Sequence, residues 1–272
     1  MAVLAFIKQH IATTDATTYT FSSTSTGGAN DIGALASDRQ VIIGAQINAT
    51  STAGRTISSI TAGGVTTTIP VSKSAAQTAT AVSNNRTFCI AVAHAALTTA
   101  TSISIVLTAT TTVANAAITV WSASECAASA ATFGFTFSSA TVGWSTGTSG
   151  TFIATVGTGG FFVSEADHGT AAASYVWTNA TERHDTVVES VVTHSGADAT
   201  VSNTVTVQPS ASVFFGAVFA VFNSTTATAA ASTLFRPCLP FKTGAGHRQM
   251  YRSMPHNYEW IPPAAIEHEA RL

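Results

Sequence analysis

Hydrophobic and polar positions alternate with a period of two along most of this chain, which is the signature of strands with one buried face. Tyr19-Thr-Phe21 alternates in this way. Gln40-Val-Ile-Ile-Gly-Ala-Gln-Ile47 predicts a strand with a largely buried core. Ile57 to Thr61 runs into Gly63-Gly64, a turn signal, and Val65 to Val71 returns, so that segment predicts a hairpin. Phe88 to Ala93, Ser102 to Thr108 and Ala116 to Trp121 complete a series of strands. The longest apolar run, Val213 to Phe222, suits a buried strand and is too short to cross a membrane as a helix. Gly, Ser, Thr and Asn fill the gaps between strands. Short strands at this regular spacing predict an all-β chain of the sandwich type, jelly-roll or Ig-like.

The series then repeats in order. Phe21-Ser-Ser returns as Phe137-Ser-Ser, and Gln40 to Gly44 as Gly160 to Ser164. The hairpin at 57–71 has a counterpart at 174–188, Phe88 to Val92 in Val187 to Val192, and Ser102 to Ile105 in Thr204 to Val207. Ala116 to Trp121 returns as Ala217 to Phe222. The match is one of pattern, with few identities. It predicts two tandem β-sandwich domains, 1–125 and 132–224, joined near Cys126 to Ala131. One larger sandwich is the alternative.

Residues 225–272 differ. An Ala/Thr linker leads into a segment holding five of the seven prolines and eight charged residues. Few regular strands survive such proline density. A free polar tail is low in aromatics, yet this one carries Phe235, Leu239, Phe241, Tyr251, Tyr258 and Trp260. These side chains need a surface to bury against. The segment reads as an extended C-terminal assembly arm docking on a neighbouring subunit or partner, with Arg248 and Arg252 suited to salt bridges there; packing back on its own domain is the alternative.

Composition removes whole classes. Charged residues make up 9% of the 272, against about 25% in an ordinary soluble domain. Eleven Lys+Arg face 13 Asp+Glu, so an electrostatic nucleic-acid binder is not expected. The N-terminus, Met-Ala-Val-Leu-Ala-Phe-Ile-Lys8, lacks the basic leader and cleavage site of a secretory signal. No membrane insertion is expected, and the chain reads as made in a cytoplasm. Three cysteines are too few for a disulfide scaffold, so Cys89 and Cys126 read as buried thiols.

Chemistry is sparse. No Gly-x-Ser-x-Gly elbow is present, and Gly143 to Gly150 lacks the Gly-Lys-Ser/Thr of a phosphate loop. The one concentration of titratable groups is Glu165-Ala-Asp167-His168 followed by Glu182-Arg-His184-Asp185, Glu189 and His194. Its spacing fits no calcium loop and no zinc-protease helix. It reads as a solvated loop-and-edge cluster that discourages stray strand pairing. Metal binding and a catalytic carboxylate pair are the alternatives. Trp144 sits in a glycine-rich loop. A shallow cleft near Trp144, Trp177 and the Glu165, Asp167, His168 cluster is the candidate glycan contact. No cofactor, resident metal or enzyme activity is expected.

The strings TYTFSS (18–23), DRQVIIGAQINA (38–49), ISSITAGGVTTTI (57–69) and AITVWSAS (117–124) resemble proteins associated with tailed bacteriophages and prophages. The resemblance spans about residues 17–123 and more faintly 133–223. It implies a virion structural protein of tail-fibre, tail-tip, baseplate or head-decoration (capsid cement) type, located in the virion after synthesis in the host cytoplasm. Its partners would be its own copies, as a homo-oligomer, and other virion proteins. A lectin-like module contacting host-surface glycan is the competing class. Deleting residues 233–272 is expected to leave folded sandwiches that fail to enter particles. Truncated chains recovered in purified particles at normal occupancy would remove the assembly role of the arm.

Overall fold

The computed structural model describes residues 1–22, 30–50, 54–77, 86–136, 145–147, 149–168, 174–189, 192–211 and 213–225. Every regular element among them is a β-strand. The first half supplies β1 (Val3–Ala12), β2 (Ala16–Phe21), β3 (Asn30–Asp31), β4 (Gln40–Ala49), β5 (Ile57–Ala62), β6 (Val65–Thr66), β7 (Thr68–Gln77), β8 (Arg86–Ala96), β9 (Ser102–Ile103), β10 (Ile105–Val113) and β11 (Asn115–Ser124). The second half supplies β12 (Thr132–Thr136), β13 (Ser145–Gly147), β14 (Gly150–Ala154), β15 (Phe161–His168), β16 (Tyr175–Thr178), β17 (Thr181–Val188), β18 (Val192–Ala199), β19 (Asn203–Pro209) and β20 (Val213–Phe222).

These strands form antiparallel sheets stacked in four layers. A first outer sheet, β2-β10-β5-β6, covers a first inner sheet, β1-β11-β4-β8-β7. A second inner sheet, β12-β20-β15-β18-β17, is covered by a second outer sheet, β14-β19-β16. The strand order of the two inner sheets corresponds position by position. So does that of the outer sheets, with β2, β10 and β5 matching β14, β19 and β16. The described residues through Thr225 belong to one compact unit.

Three apolar cores hold the layers together. Ile43, Ile47, Ile118 and Val120 of the first inner sheet meet Phe21, Ile60 and Leu107 of its outer sheet. Phe162, Phe215 and Val221 of the second inner sheet meet Phe152, Trp177 and Val205 of its outer sheet. The third core lies between the two inner sheets, where Ile42, Ile90, Val92 and Trp121 pack on Phe161, Val163, Val218 and Phe222. At about 10 Å per layer, the inner sheets are therefore covered on both faces. All ten residues of β4 and all eight of β15 are buried, whereas β14 and β16 alternate buried and exposed.

Several expectations shift in register. The predicted hairpin at 57–71 is short: β5 turns through Gly63 and Gly64, both at positive φ, into the two-residue β6. At Thr67 the chain leaves that sheet, and β7 pairs with β8 in the inner sheet instead. Thr67 marks the crossing by bonding Ile60 O through both its N–H and its hydroxyl. The segment 187–192 is not one strand. β17 ends at Val188, Glu189 takes a φ of 53°, and β18 starts at Val192, so the counterpart of β8 is β18. The counterpart of β2 is β14 rather than the region of Phe137, which lies outside the described residues. Cys89 and Cys126 are buried free thiols, as expected.

Two β-bulges aim side chains into the middle of the stack. The extra residue Ile7 in β1 lets Phe6 pair with Trp121 and Gln9 with Thr119. Residues three apart thereby share one face, which a regular strand forbids. The extra residue Arg183 in β17 places Glu182 opposite Ala197 and His184 opposite Gly196.

Candidate functional site

The titratable cluster is split: Glu182 and Glu189 are exposed on and just after the edge strand β17, whereas the groups on β15 and β18 are enclosed. β15 alternates its side chains, so Phe161, Val163, Glu165 and Asp167 face the first inner sheet while Phe162, Ala166 and His168 face the outer one. On β18, His194, Gly196 and Asp198 share the inward face with Val192. Glu165, Asp167, His168 and His194 are all 0% exposed. The expectation of an exposed cluster is therefore corrected for these four residues. So is the expectation that Glu165, Asp167 and His168 contact a surface glycan, because none of them reaches solvent. Trp177 is buried in the core between the second inner sheet and its outer sheet and donates from Nε1 to Ser195 Oγ at 2.8 Å. Trp144 and the arm residues Phe235, Leu239, Phe241, Arg248, Tyr251, Arg252, Tyr258 and Trp260 lie outside the described residues.

Three of the titratable residues converge. One donor atom from each of Glu165, His184 and His194 lies within 4.8 Å of the other two. Gln9, brought inward by the β1 bulge, approaches His194 Nδ1 through its amide nitrogen at 3.4 Å. It also accepts a hydrogen bond from Thr186 Oγ1 at 2.9 Å. His194 Nε2 in turn meets Glu165 Oε2 at 2.5 Å. His184 Nε2 shares a 2.6 Å hydrogen bond with Thr119 Oγ1 of β11, which ties the two inner sheets. Glu165 Oε1 and His184 Nδ1 find no hydrogen-bond partner.

Two glycines make the room. A Cβ on Gly44 of β4 would overlap the Glu165 carboxyl outright. A Cβ on Gly196 would stand 2.6 Å from His184 Nε2 and 3.1 Å from Glu165 Oε1. The carboxyl thus occupies a notch between the sheets that any side chain at Gly44 would fill.

The other charged groups disperse. Asp198 accepts from Trp121 Nε1 at 2.9 Å and from Arg183 at 2.6 and 2.8 Å. It is a second polar tie between the inner sheets. Glu189 accepts from Asn115 Nδ2 at 2.8 Å. Asp185 accepts from the backbone of Tyr175 at 2.8 Å. Glu182 stays on the exposed part of β17. His168 packs its ring against Tyr175, 4.8 Å between centroids, on the opposite face of the sheet.

Electrostatics follow from the burial. Water is excluded, so burial pushes the Glu165 carboxyl up to about 8, against the opposing pull of His184 and the Thr119 hydroxyl. Burial holds His184 down to about 3, with His194 beside it adding to the effect. Burial alone takes His194 down to about 3. At neutral pH the cluster is therefore uncharged: a protonated carboxyl against two neutral imidazoles, rather than an ion pair. Such a group can hold a proton in a short hydrogen bond, or exchange that proton for a cation.

Sequence reasoning found Glu165, His184 and His194 but missed Gln9, Gly44, Thr119 and Gly196. No family model, curated protein or solved structure matches the chain.

Replacing Gly44 by Ala should destabilise the fold by about 1–3 kcal/mol through overpacking. The same substitution in a Glu165→Ala background should cost much less, because the overlapping group is gone. Chemical denaturation midpoints of the three variants measure this; additive effects would disprove the notch.

The pH dependence has a defined sign. Glu165 is raised from 4.5, so its contribution is present below pH 4.5 and lost as pH rises towards 8. The two histidines are lowered from 6.5, so theirs is present above pH 6.5 and lost as pH falls towards 3. Between pH 4.5 and 6.5 two histidines oppose one carboxyl, which places the maximum near pH 6.5. Melting temperatures in buffers containing EDTA should fall on both sides of that value. Glu165→Gln should flatten the alkaline side alone.

Proposed function

We propose that this chain is a non-enzymatic building block of a phage virion, assembling through its outer sheets into homo-oligomers and with other virion proteins. One observation carries the reading. None of the seven strands of the two outer sheets contains Asp, Glu, Lys, Arg or His. Their solvent faces present Thr18, Thr20, Thr61 and Thr108 on one side of the stack. Thr151, Ile153, Val176 and Thr204 lie on the other. Ile153 and Val176 are 69% and 56% exposed.

Soluble monomers usually intersperse charges across their surfaces, and uncharged faces with exposed aliphatic groups mark contact surfaces. Two such faces on opposite sides of a rigid stack suit a subunit that is covered from both directions. The virion setting rests on the strand strings resembling phage structural proteins. A tail, fibre or baseplate position is the first reading and capsid decoration the second. Glycan recognition has less support, because the acidic and histidine residues suggested for it are buried.

Thr20→Lys and Thr206→Lys, one on each outer face, test the proposal. Each should leave stability within about 0.5 kcal/mol, as surface changes do. Each should shift the mass measured by light scattering towards the monomer. A wild-type chain that is monomeric at all concentrations, or variants that associate as the wild type does, would reject assembly through these faces. Immunogold labelling of particles then distinguishes tail from head, and unlabelled particles remove the virion reading.

A further inference from the structure

We infer that Glu165, His184 and His194 form a structural binding site for one divalent transition metal of the zinc class, set between the two inner sheets. The donor set is one carboxylate oxygen and two imidazole nitrogens. That combination suits zinc and its neighbours, whereas calcium and magnesium prefer oxygen ligands throughout. The donor atoms already lie within 4.8 Å of one another. Tetrahedral bonds of about 2.0–2.2 Å set ligand atoms roughly 3.4 Å apart, so closing on a common centre draws the donors together from up to 4.8 Å and moves Glu165 Oε2 and His194 Nε2 apart from 2.5 Å.

The second observation is independent of the donor types. Glu165 is fully buried, and although the Thr119 hydroxyl pulls on its carboxyl, Oε1 receives no hydrogen bond of good geometry. The side of the notch towards that atom is kept open by Gly196, whose Cβ would stand 3.1 Å from it. A buried acceptor left unpaired is unfavourable, and a cation would satisfy it.

The surrounding groups fit the same assignment. Imidazoles that bind metal are normally oriented by a hydrogen bond at the other ring nitrogen. Gln9 stands at His194 Nδ1, and a turn of its amide presents an oxygen to an Nδ1–H. His194 Nε2 is then free to ligate. Thr119 Oγ1, now 2.6 Å from His184 Nε2, is placed beside the centre from the facing sheet. Binding displaces the carboxyl proton of Glu165 to solvent. Asp167, buried and directly across from His194, supplies a further carboxyl close to the added positive charge. Glu165 and His194 are buried and His184 is half-buried, which makes the site structural, a clamp on β15, β17 and β18 where they meet β11.

The test uses the full chain, purified with chelator and refolded with and without cobalt(II) or zinc(II), since a buried site must be loaded during folding. Wild-type protein should bind one more equivalent of cobalt than Glu165→Gln and His184→Ala. That extra equivalent should show the intense visible absorption of a low-coordinate cobalt site. Zinc should raise the wild-type melting temperature by several degrees and the variants' by less than half as much. Glu165→Gln keeps the size and neutrality of the buried acid, so its metal-free melting temperature near pH 6.5 should stay close to wild type. That separates lost binding from lost folding. Magnesium should give no shift. Equal cobalt uptake and equal zinc shifts in all three proteins would overturn the assignment by placing the metal elsewhere, for example on the chain's other histidines. Absence of both signals in refolded wild-type protein would overturn it outright.

Discussion

The burial of one inner sheet against the other is the constraint on which the rest of the structure depends. A two-layer sandwich buries one face of each sheet and hydrates the other. Here the remaining faces of β4, β11, β15 and β18 are closed against each other as well. Side chains that would otherwise point at water, among them Gln46, Asn48, Glu165 and His194, are taken into the interior. Their polarity must then be met inside. The Trp121–Asp198–Arg183 contacts and the Thr119–His184 hydrogen bond meet part of it across the sheet-to-sheet boundary, while the Gln46 amide and Asn48 Oδ1 find no hydrogen-bond partner. Apolar packing at Ile42, Val163 and Phe222 supplies attraction, and these polar ties fix the relative position of the sheets.

The protonation of the cluster follows from the same closure. An ionised carboxylate in a dry seam carries a large desolvation penalty. Glu165 and its histidine neighbours avoid that penalty by staying neutral near pH 7, because burial moves both residue types towards their uncharged forms. The arrangement is stable as a hydrogen-bonded group and is also poised to trade its proton for a metal. Both properties have one cause, the exclusion of water by a second sandwich.

How much of this was legible in the chain depended on whether a strand kept an alternating or continuous apolar pattern. β4, β11 and β20 did, through Val41, Ile43, Ile47, Ile118 and the Val213–Phe222 run, and they were readable. β18 was not. Val-Thr-His-Ser-Gly-Ala-Asp-Ala has no run of large apolar residues, and nothing local announces that its polar face will be covered by another sheet. β1 and β17 were obscured by their bulges, which break the period at Ile7 and Arg183. The convergence of Glu165 with His184 and His194 was hidden for the same reason. It needs the pairings of His184 with Gly196 and of Asp167 with His194, and register is a property of strand pairs. Gly44 carried a signal of a kind, an isolated glycine inside a strand, which marks a close approach by another group.

The distribution of charge connects the interior to the proposed role. In an ordinary domain the outermost strands carry the charges and the middle of the protein carries none. This stack is arranged the other way round. Its outer sheets are free of Asp, Glu, Lys, Arg and His, while Glu165, Asp167, His194 and Asp198 sit in its central layers. Glu165 and His194, held neutral by burial, and Asp198, paired with Arg183, supply orientation and rigidity. The outer faces, made of Thr, Ser, Val and Ile, can be covered by another copy with little desolvation penalty, since no charge has to leave water. A rigid centre keeps the two faces in a fixed mutual orientation. That orientation, more than the strength of either contact, decides whether repeated association closes into a defined assembly or runs on without end.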